Sequence, residues 1–152
     1  MVPQPIARLA ARVLLIDEAG RVLLFHGIDP ADPSDEYWVT PGGGLEPGES
    51  PARGAVRELF EETGLRVDPA ELGEPVYRNL VEFSFGGRRY RQEQDFFLLR
   101  VPSWEVDTTN FDDVERVAVD GYRWWFVDEL ASSAEPFYPE LLPTLLRRLV
   151  EV

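Results

Sequence analysis

Apolar and polar positions along this chain repeat first with the period of strands, then with that of a helix, then with that of strands again. "RVLLIDEAGRVLLFHG" holds two β-rich runs, Arg12–Ile16 and Arg21–His26, around turn residues Asp17–Gly20, and predicts a hairpin. The proline- and acid-rich "DPADPSDE" (Asp29–Glu36) reads as a loop, and "YWVT" as a short strand that stops at Pro41. From Ser50 the spacing becomes helical. Ser50 suits the N-cap, Pro51 the first helical position and Gly64 the C-terminal cap. "PVYRNLVEFSF" and "RYRQEQDFFLLRVP" predict two longer strands joined at Gly86–Gly87. "GYRWWFVDEL" predicts a strand running into a turn or short helix. "YPELLPTLLRRLVEV" predicts a closing amphipathic helix, its start blurred by Pro143. Antiparallel hairpins with two helices give an α+β fold or an α/β/α sandwich.

The helix after Ser50 poses the chemical question. At ~100° per residue, Ala52, Val56, Leu59, Phe60 and Thr63 fall on one side, the predicted core face. Glu58, Glu61 and Glu62 fall on the opposite side, in the last turns. There the helix dipole disfavours negative charge, and Glu58 repels both Glu61 and Glu62. A solvated acidic face is the plain reading. A hard divalent cation is the other, because it rewards clustered carboxylates. The glycines of "PGGGLEPGE", just before the helix, allow close approach of backbone to a ligand and favour the second reading.

Composition narrows the field. The 152 residues fit one domain, 1–152, with a real core, and 44% hydrophobic content fits a folded chain. Without cysteine, a metal must be held by oxygen or by the single His26, which ends a strand and reads as structural. A net charge of −13 argues against loose binding to DNA or anionic membranes, but not against a small nucleotide. Arg8 and Arg12 interrupt the N-terminal apolar run, so neither a signal peptide nor a membrane span is expected, and a soluble cytoplasmic protein is the default.

Gly43, five residues, Glu49, seven residues, then Arg57 through Leu65 (RELFEETGL) resembles the Nudix box in every defined position. The opening hairpin, the "WVTPGG" stretch and "RWWFVDEL" are also similar to that family, so the resemblance runs from about Ala11 to Leu130. It implies a Nudix fold, an α/β/α sandwich with a mixed sheet between helices. It also implies metal-dependent hydrolysis of a pyrophosphate bond in a nucleoside diphosphate linked to another moiety, with Mg2+ as cofactor and Mn2+ as a substitute. By position, Glu58, Glu61 and Glu62 match the box glutamates that bind metal, Glu58 also matching a base assigned in some members. Arg57 matches the arginine that orients them, Gly43 or Gly42 the glycine whose carbonyl meets the ion, and Glu49 a structural glutamate.

Many members recruit one more carboxylate. Glu115 is the first candidate here and Glu93 the second, and for each a surface acid is the competing reading. Arg88, Arg89 and Arg91 form a basic cluster suited to gripping phosphate, unless they only solvate a hairpin tip. Tyr37, Trp38 and Phe83 could stack on a base, or be core. Trp124 and Trp125 point to opposite faces if extended, so at least one is packing.

Two other classes compete with a hydrolase: a Nudix-fold nucleotide-binding sensor that has lost catalysis, and an acidic interaction protein. Intact box glutamates speak against the first, and the glycine spacing against the second. The substrate is a small nucleotide of open identity: a triphosphate, a nucleotide sugar, a dinucleoside polyphosphate, a coenzyme or a capped RNA end. Compact length leans slightly away from ADP-ribose. The apolar last helix leaves a homodimer open.

Overall fold

The computed structural model describes residues 4–150. Residues 1–3 and 151–152, which the sequence reading counted with the N-terminal run and the last helix, lie outside the described residues. The chain runs β1 (Ile6–Ile16), β2 (Val22–Asp29), β3 (Asp32–Val39), β4 (Gly42–Gly44), α1 (Pro51–Thr63), a 3-10 turn (Pro69–Leu72), β5 (Tyr77–Phe85), β6 (Arg88–Arg100), α2 (Asp113–Ala118), β7 (Val119–Trp125), α3 (Val127–Ala131), β8 (Phe137–Tyr138) and α4 (Leu142–Val150).

The sheet has the order β5-β6-β1-β2-β3-β8, with β4 beside β1 and β7 beside β2. It is mixed. β1 runs parallel to β6 in unbroken register from Ile6↔Tyr90 to Ile16↔Arg100, while the remaining long pairings are antiparallel. Alternation along β1 feeds two cores. Ala11, Val13 and Leu15 pack with Leu23, Phe25 and the α1 residues Ala55 and Leu59. Leu14 and Ile16 pack with Leu24, Trp125, Leu130 of α3 and Leu142, Leu145 and Leu146 of α4. Helices thus cover both faces of a mixed sheet, the α/β/α sandwich of the Nudix fold. Leu59 is fully buried, so truncating it to Ala costs about 2–5 kcal/mol.

Several local expectations hold. Ser50 Oγ accepts from Arg53 N (3.3 Å), and Gly64 closes α1 in the left-handed region at φ 77°. Gly86 and Gly87 turn β5 into β6 with φ 61° and 80°. Trp124 and Trp125 do point to opposite faces, one into each core.

Others need correction. The first hairpin has its turn, but its strands pair only at Ile16↔Val22; beyond it, β1 joins β6 and β4, and β2 joins β3 and β7. The Asp29–Glu36 loop is mostly strand, since β3 begins at Asp32. Its partner β8 reaches only Trp38 and Val39, so Pro33 sits where no outer ladder bond is required of it. Asp29 Oδ1 accepts from Ala31 N (2.9 Å) and Gly86 N (3.0 Å), tying this hairpin to the β5–β6 turn. Among the described residues there are four α-helices: α3 takes up the turn or short helix expected after "GYRWW", while α2 is unforeseen, being too short to show a periodicity.

Candidate active site

The acidic side of α1 is not a solvated face. It lies against β4, and the glycines are what allow it. Gly43 would place a Cβ 2.9 Å from Glu58 Oε1, and Gly42 donates its N–H to Glu62 Oε1 at 2.7 Å. Glu62 is only 6% exposed. The helical wheel put Glu58 and Glu62 opposite the core but carried no information that a side-chain-free strand would cover them.

Arg57 organises the entry to this face. Its Nε and Nη2 grip Glu49 bidentately at 2.7 and 2.9 Å, Nη1 reaches Glu58 (3.1 Å) and Glu61 (3.3 Å), and Nη2 also donates to Gly44 O (3.1 Å). One guanidinium thus joins the loop before α1, the helix and β4 through charge-assisted bonds. Its hydrogen bonds hold the Glu49 carboxyl below the usual carboxylate range. Arg57 precedes Glu61 by four residues, the less favourable order for a helical ion pair, but its strongest partner is Glu49.

The fourth carboxylate arrives from far along the chain. Thr63 O, at the end of α1, accepts from Trp104 Nε1 (2.8 Å) and Asp107 N (3.0 Å), which docks the segment leading into α2. Asp112 then caps α2 in a reciprocal box: its Oδ1 accepts from Glu115 N (2.8 Å), and Glu115 Oε1 accepts from Asp112 N (3.0 Å). Glu115 is thereby fixed beside α1.

Oxygen atoms of Glu58, Glu62 and Glu115 lie within 4.8 Å of one another, and so do those of Glu61, Asp112 and Glu115. The electrostatics are unfavourable as they stand. Burial pushes Glu58 up to about 7, reinforced by Glu115 and Glu61 against the pull of Arg57. Burial, with Glu58 and Glu115 beside it, drives Glu62 well above the carboxylate range, opposed by the Gly42 N–H and Arg12. Burial also raises Glu115. Crowded, half-buried carboxylates with a shortfall of cations form a donor set for a hard divalent ion.

The other sequence candidates are dispersed. Glu93 is exposed on the sheet, in register with Leu9 and Leu80, and belongs to neither acidic group. Arg88, Arg89 and Arg91 are exposed along the β5–β6 hairpin, Arg89 lying 3.8 Å from Glu82 and Arg91 opposite it. Tyr37 crosses Gly27 and meets Tyr138 edge-on at 5.8 Å, within the influence of Arg12. Trp38 turns to the second core, against Trp125 (5.1 Å) and His26 (4.9 Å), with Nε1 donating to Glu135. His26 is paired with Asp120. Phe83 stacks on Tyr90 at 5.5 Å. Sequence reasoning missed Asp112, although "DDVE" carries the capping-box spacing, and gave no role to Arg8 and Arg12.

Fold and site together define a class. A NUDIX domain family model matches residues 7–145, and the chain belongs to that family. The RNA pyrophosphohydrolase of Wolbachia pipientis subsp. Culex pipiens (strain wPip) is 30% identical over 148 residues, covering 92% of this chain and 87% of that protein. The MutT protein of Methanosarcina mazei Go1 superposes with a TM-score of 0.65 at 18% identity, over 99% of this chain and 97% of that one. A bifunctional NMN adenylyltransferase/ADP ribose pyrophosphatase of Francisella tularensis, complexed with AMP and Mn ion, gives 0.63 at 20% identity over 99% and 43%. At such identities the two structures speak for the fold. The chain is a Nudix-type pyrophosphohydrolase. Nudix enzymes use divalent metals, and the acidic cluster is present. No helix among the described residues is long and apolar enough to cross a membrane.

Proposed function

We propose that this protein hydrolyses a pyrophosphate bond in a nucleoside diphosphate linked to a further group, with Mg2+, or Mn2+ in its place, held by Glu58, Glu62 and Glu115. The observation that carries the reading is the convergence of these three side chains within 4.8 Å beside Gly43, which leaves them room by having no side chain. Glu61 and Asp112, which share Glu115, offer a second position. A divalent cation bound there supplies neutralisation of the diphosphate oxygens and charge stabilisation at the leaving phosphate.

The chain's own groups do the rest. Glu58, turned to the glycine strand and held by Arg57, accepts the proton of the attacking water as its oxygen bonds to phosphorus and the anhydride P–O bond breaks. Arg57 fixes Glu58 and Glu61 in place. Gly42 N–H holds Glu62. The named relatives favour a 5′-phosphorylated RNA end as the further group. The chain's strong negative charge fits an enzyme that grips such an end over few nucleotides.

The test is phosphate or pyrophosphate release from a panel of nucleoside triphosphates, nucleotide sugars and 5′-triphosphorylated RNA, with Mg2+ or Mn2+. Glu58→Gln should keep the fold and lose roughly 10²–10⁴-fold in turnover. Equal turnover by that variant at saturating metal would remove Glu58 from the chemistry. A wild-type protein that binds nucleotides and hydrolyses none of the panel would instead be the catalytically silent sensor.

A further inference from the structure

We propose that Arg8 grips a non-reacting phosphate of the nucleotide, from the side of β4 opposite the carboxylates. The inference rests on the pyrophosphohydrolase reading and adds a binding residue to it.

Successive residues of β4 point to opposite sides. Gly43 faces Glu58, whereas a Cβ at Gly44 would lie 2.5 Å from Arg8 Nε and 2.9 Å from its Cζ and Nη2. The Arg8 guanidinium therefore sits one residue along β4 from the acidic cluster, in a place that only glycine leaves open. It is also held still, because its Nε is buried and its Cζ lies 5.4 Å from the Tyr90 ring, itself stacked on Phe83.

Yet the cation has no counter-charge. Among the described residues, Arg8 makes no hydrogen bond and has no carboxylate within 4.0 Å, in a chain with 28 acidic residues. Its paired neighbour across the strand, Gln92, is neutral and fully buried. Gln92 donates Nε2 to Gln94 Oε1 (2.9 Å), the same oxygen that accepts from Arg12 Nε, while Gln94 Nε2 donates to Asn79. Because arginine can only donate, this relay has one polarity, and it leaves Gln92 Oε1 without a donor. Arg12 donates to Gln94 and to the carbonyls of Thr40 and Gly42, and as a donor-only like charge it adds to the need of Arg8. A half-buried, immobilised and uncompensated guanidinium is built for a phosphate oxygen.

The split between binding and turnover tests this. Arg8→Gln should raise KM about 10-fold or more and leave kcat within about 2-fold, because the contact is the same before and during reaction. The same variant should weaken binding of ADP, titrated in EDTA, by a similar factor. Arg8→Lys keeps the charge but not the planar fork and should fall between. Arg147→Gln, an exposed arginine on α4, should change neither. Unchanged KM and unchanged ADP affinity in Arg8→Gln would overturn the proposal. Should that variant fail to fold, Arg8→Lys decides by ADP affinity alone: weakened binding supports the grip, wild-type binding overturns it. The metal-free titration also separates the two readings. Wild-type protein inactive on the whole panel would sink the hydrolase assignment, while ADP binding would still report on Arg8.

Discussion

The two sides of β4 are electrostatic opposites. On the α1 side, Glu58, Glu61, Glu62, Asp112 and Glu115 converge, with Arg57 the one cation bonded to any of them among the described residues. On the β1–β6 side, Arg8 and Arg12 stand without a carboxylate in ion-pair range among the described residues. Direct pairing of these charges would have been the simplest way to stabilise the fold. The glycine strand stands between Arg8 and the carboxylates instead, with Arg12 bonded to Gln94, Thr40 and Gly42 and acting on Glu62 without touching it. Each side keeps an unmet need that a ligand can fill, a divalent cation for the acids and a phosphate for Arg8. Strain concentrated at one place in an otherwise self-consistent sequence is the mark of a working site.

Removing the cation that restrains the acidic side should have the largest effect. Arg57→Gln leaves Glu49, Glu58 and Glu61 without their shared partner, all of them less than one-third exposed. Loss of one member of a mostly buried ionic network costs about 3 kcal/mol. Denaturant titration in EDTA should show that loss, and saturating Mg2+ should restore part of it by replacing the missing positive charge. A variant as stable as the parent in EDTA would mean that Arg57 is not what holds the cluster together.

The next effect is a pH dependence of the metal-free protein. Burial raises Glu58 to about 7 in the folded state, against 4.5 when unfolded. The folded state then binds the extra proton between those values, so this contribution is full below pH 4.5 and is lost as pH rises through 7. Glu62 and Glu115 are shifted in the same direction. Stability in EDTA should fall by on the order of 2–3 kcal/mol from pH 5 to pH 8, and Mg2+ should flatten the curve. General repulsion in an acidic chain works the same way, so the discriminating measurement is Glu58→Gln, which should lose the Glu58 part of the slope and leave that of Glu62 and Glu115. An unaltered slope in that variant would take Glu58 out of the pH dependence.

How much of this was legible depended on distance along the chain. Caps and turns are local chemistry, so Ser50, Gly64, Gly86 and Gly87 could be placed from their neighbours alone. The box glutamates could be named because they share one helix with the glycines at fixed spacing. The core side of the helix could be named too, but not that its acidic side is also covered, because Glu62 is bonded by Gly42, twenty residues away, and β4 has no side chains to give a pattern. Glu115 could be ranked ahead of Glu93 but not placed beside α1, since docking of α2 depends on Trp104 and Asp107 bonding to Thr63. Arg8 looked like an interruption in an apolar run. Its partner strand, β6, begins eighty residues later, and only the parallel register with Gln92 shows which way it points.

The smallest effect should separate the two sides of β4 most cleanly. Neither Gly43 nor Gly44 has positive φ, so alanine strains neither backbone, and the outcome depends on which side chain must move. In Gly43→Ala the new methyl group meets the end of Glu58 at 2.9 Å. That flexible carboxylate can shift, and the Mg2+ concentration for half-maximal activity should rise about 5-fold, or about 1 kcal/mol, with KM at saturating metal unchanged. In Gly44→Ala the methyl group meets Arg8 at 2.5 Å, beside the buried Nε. KM should rise by a similar factor while the Mg2+ requirement stays put. If both variants altered the same parameter, β4 would not divide a cation site from a phosphate site, and the contrast between its two sides would be an accident of packing.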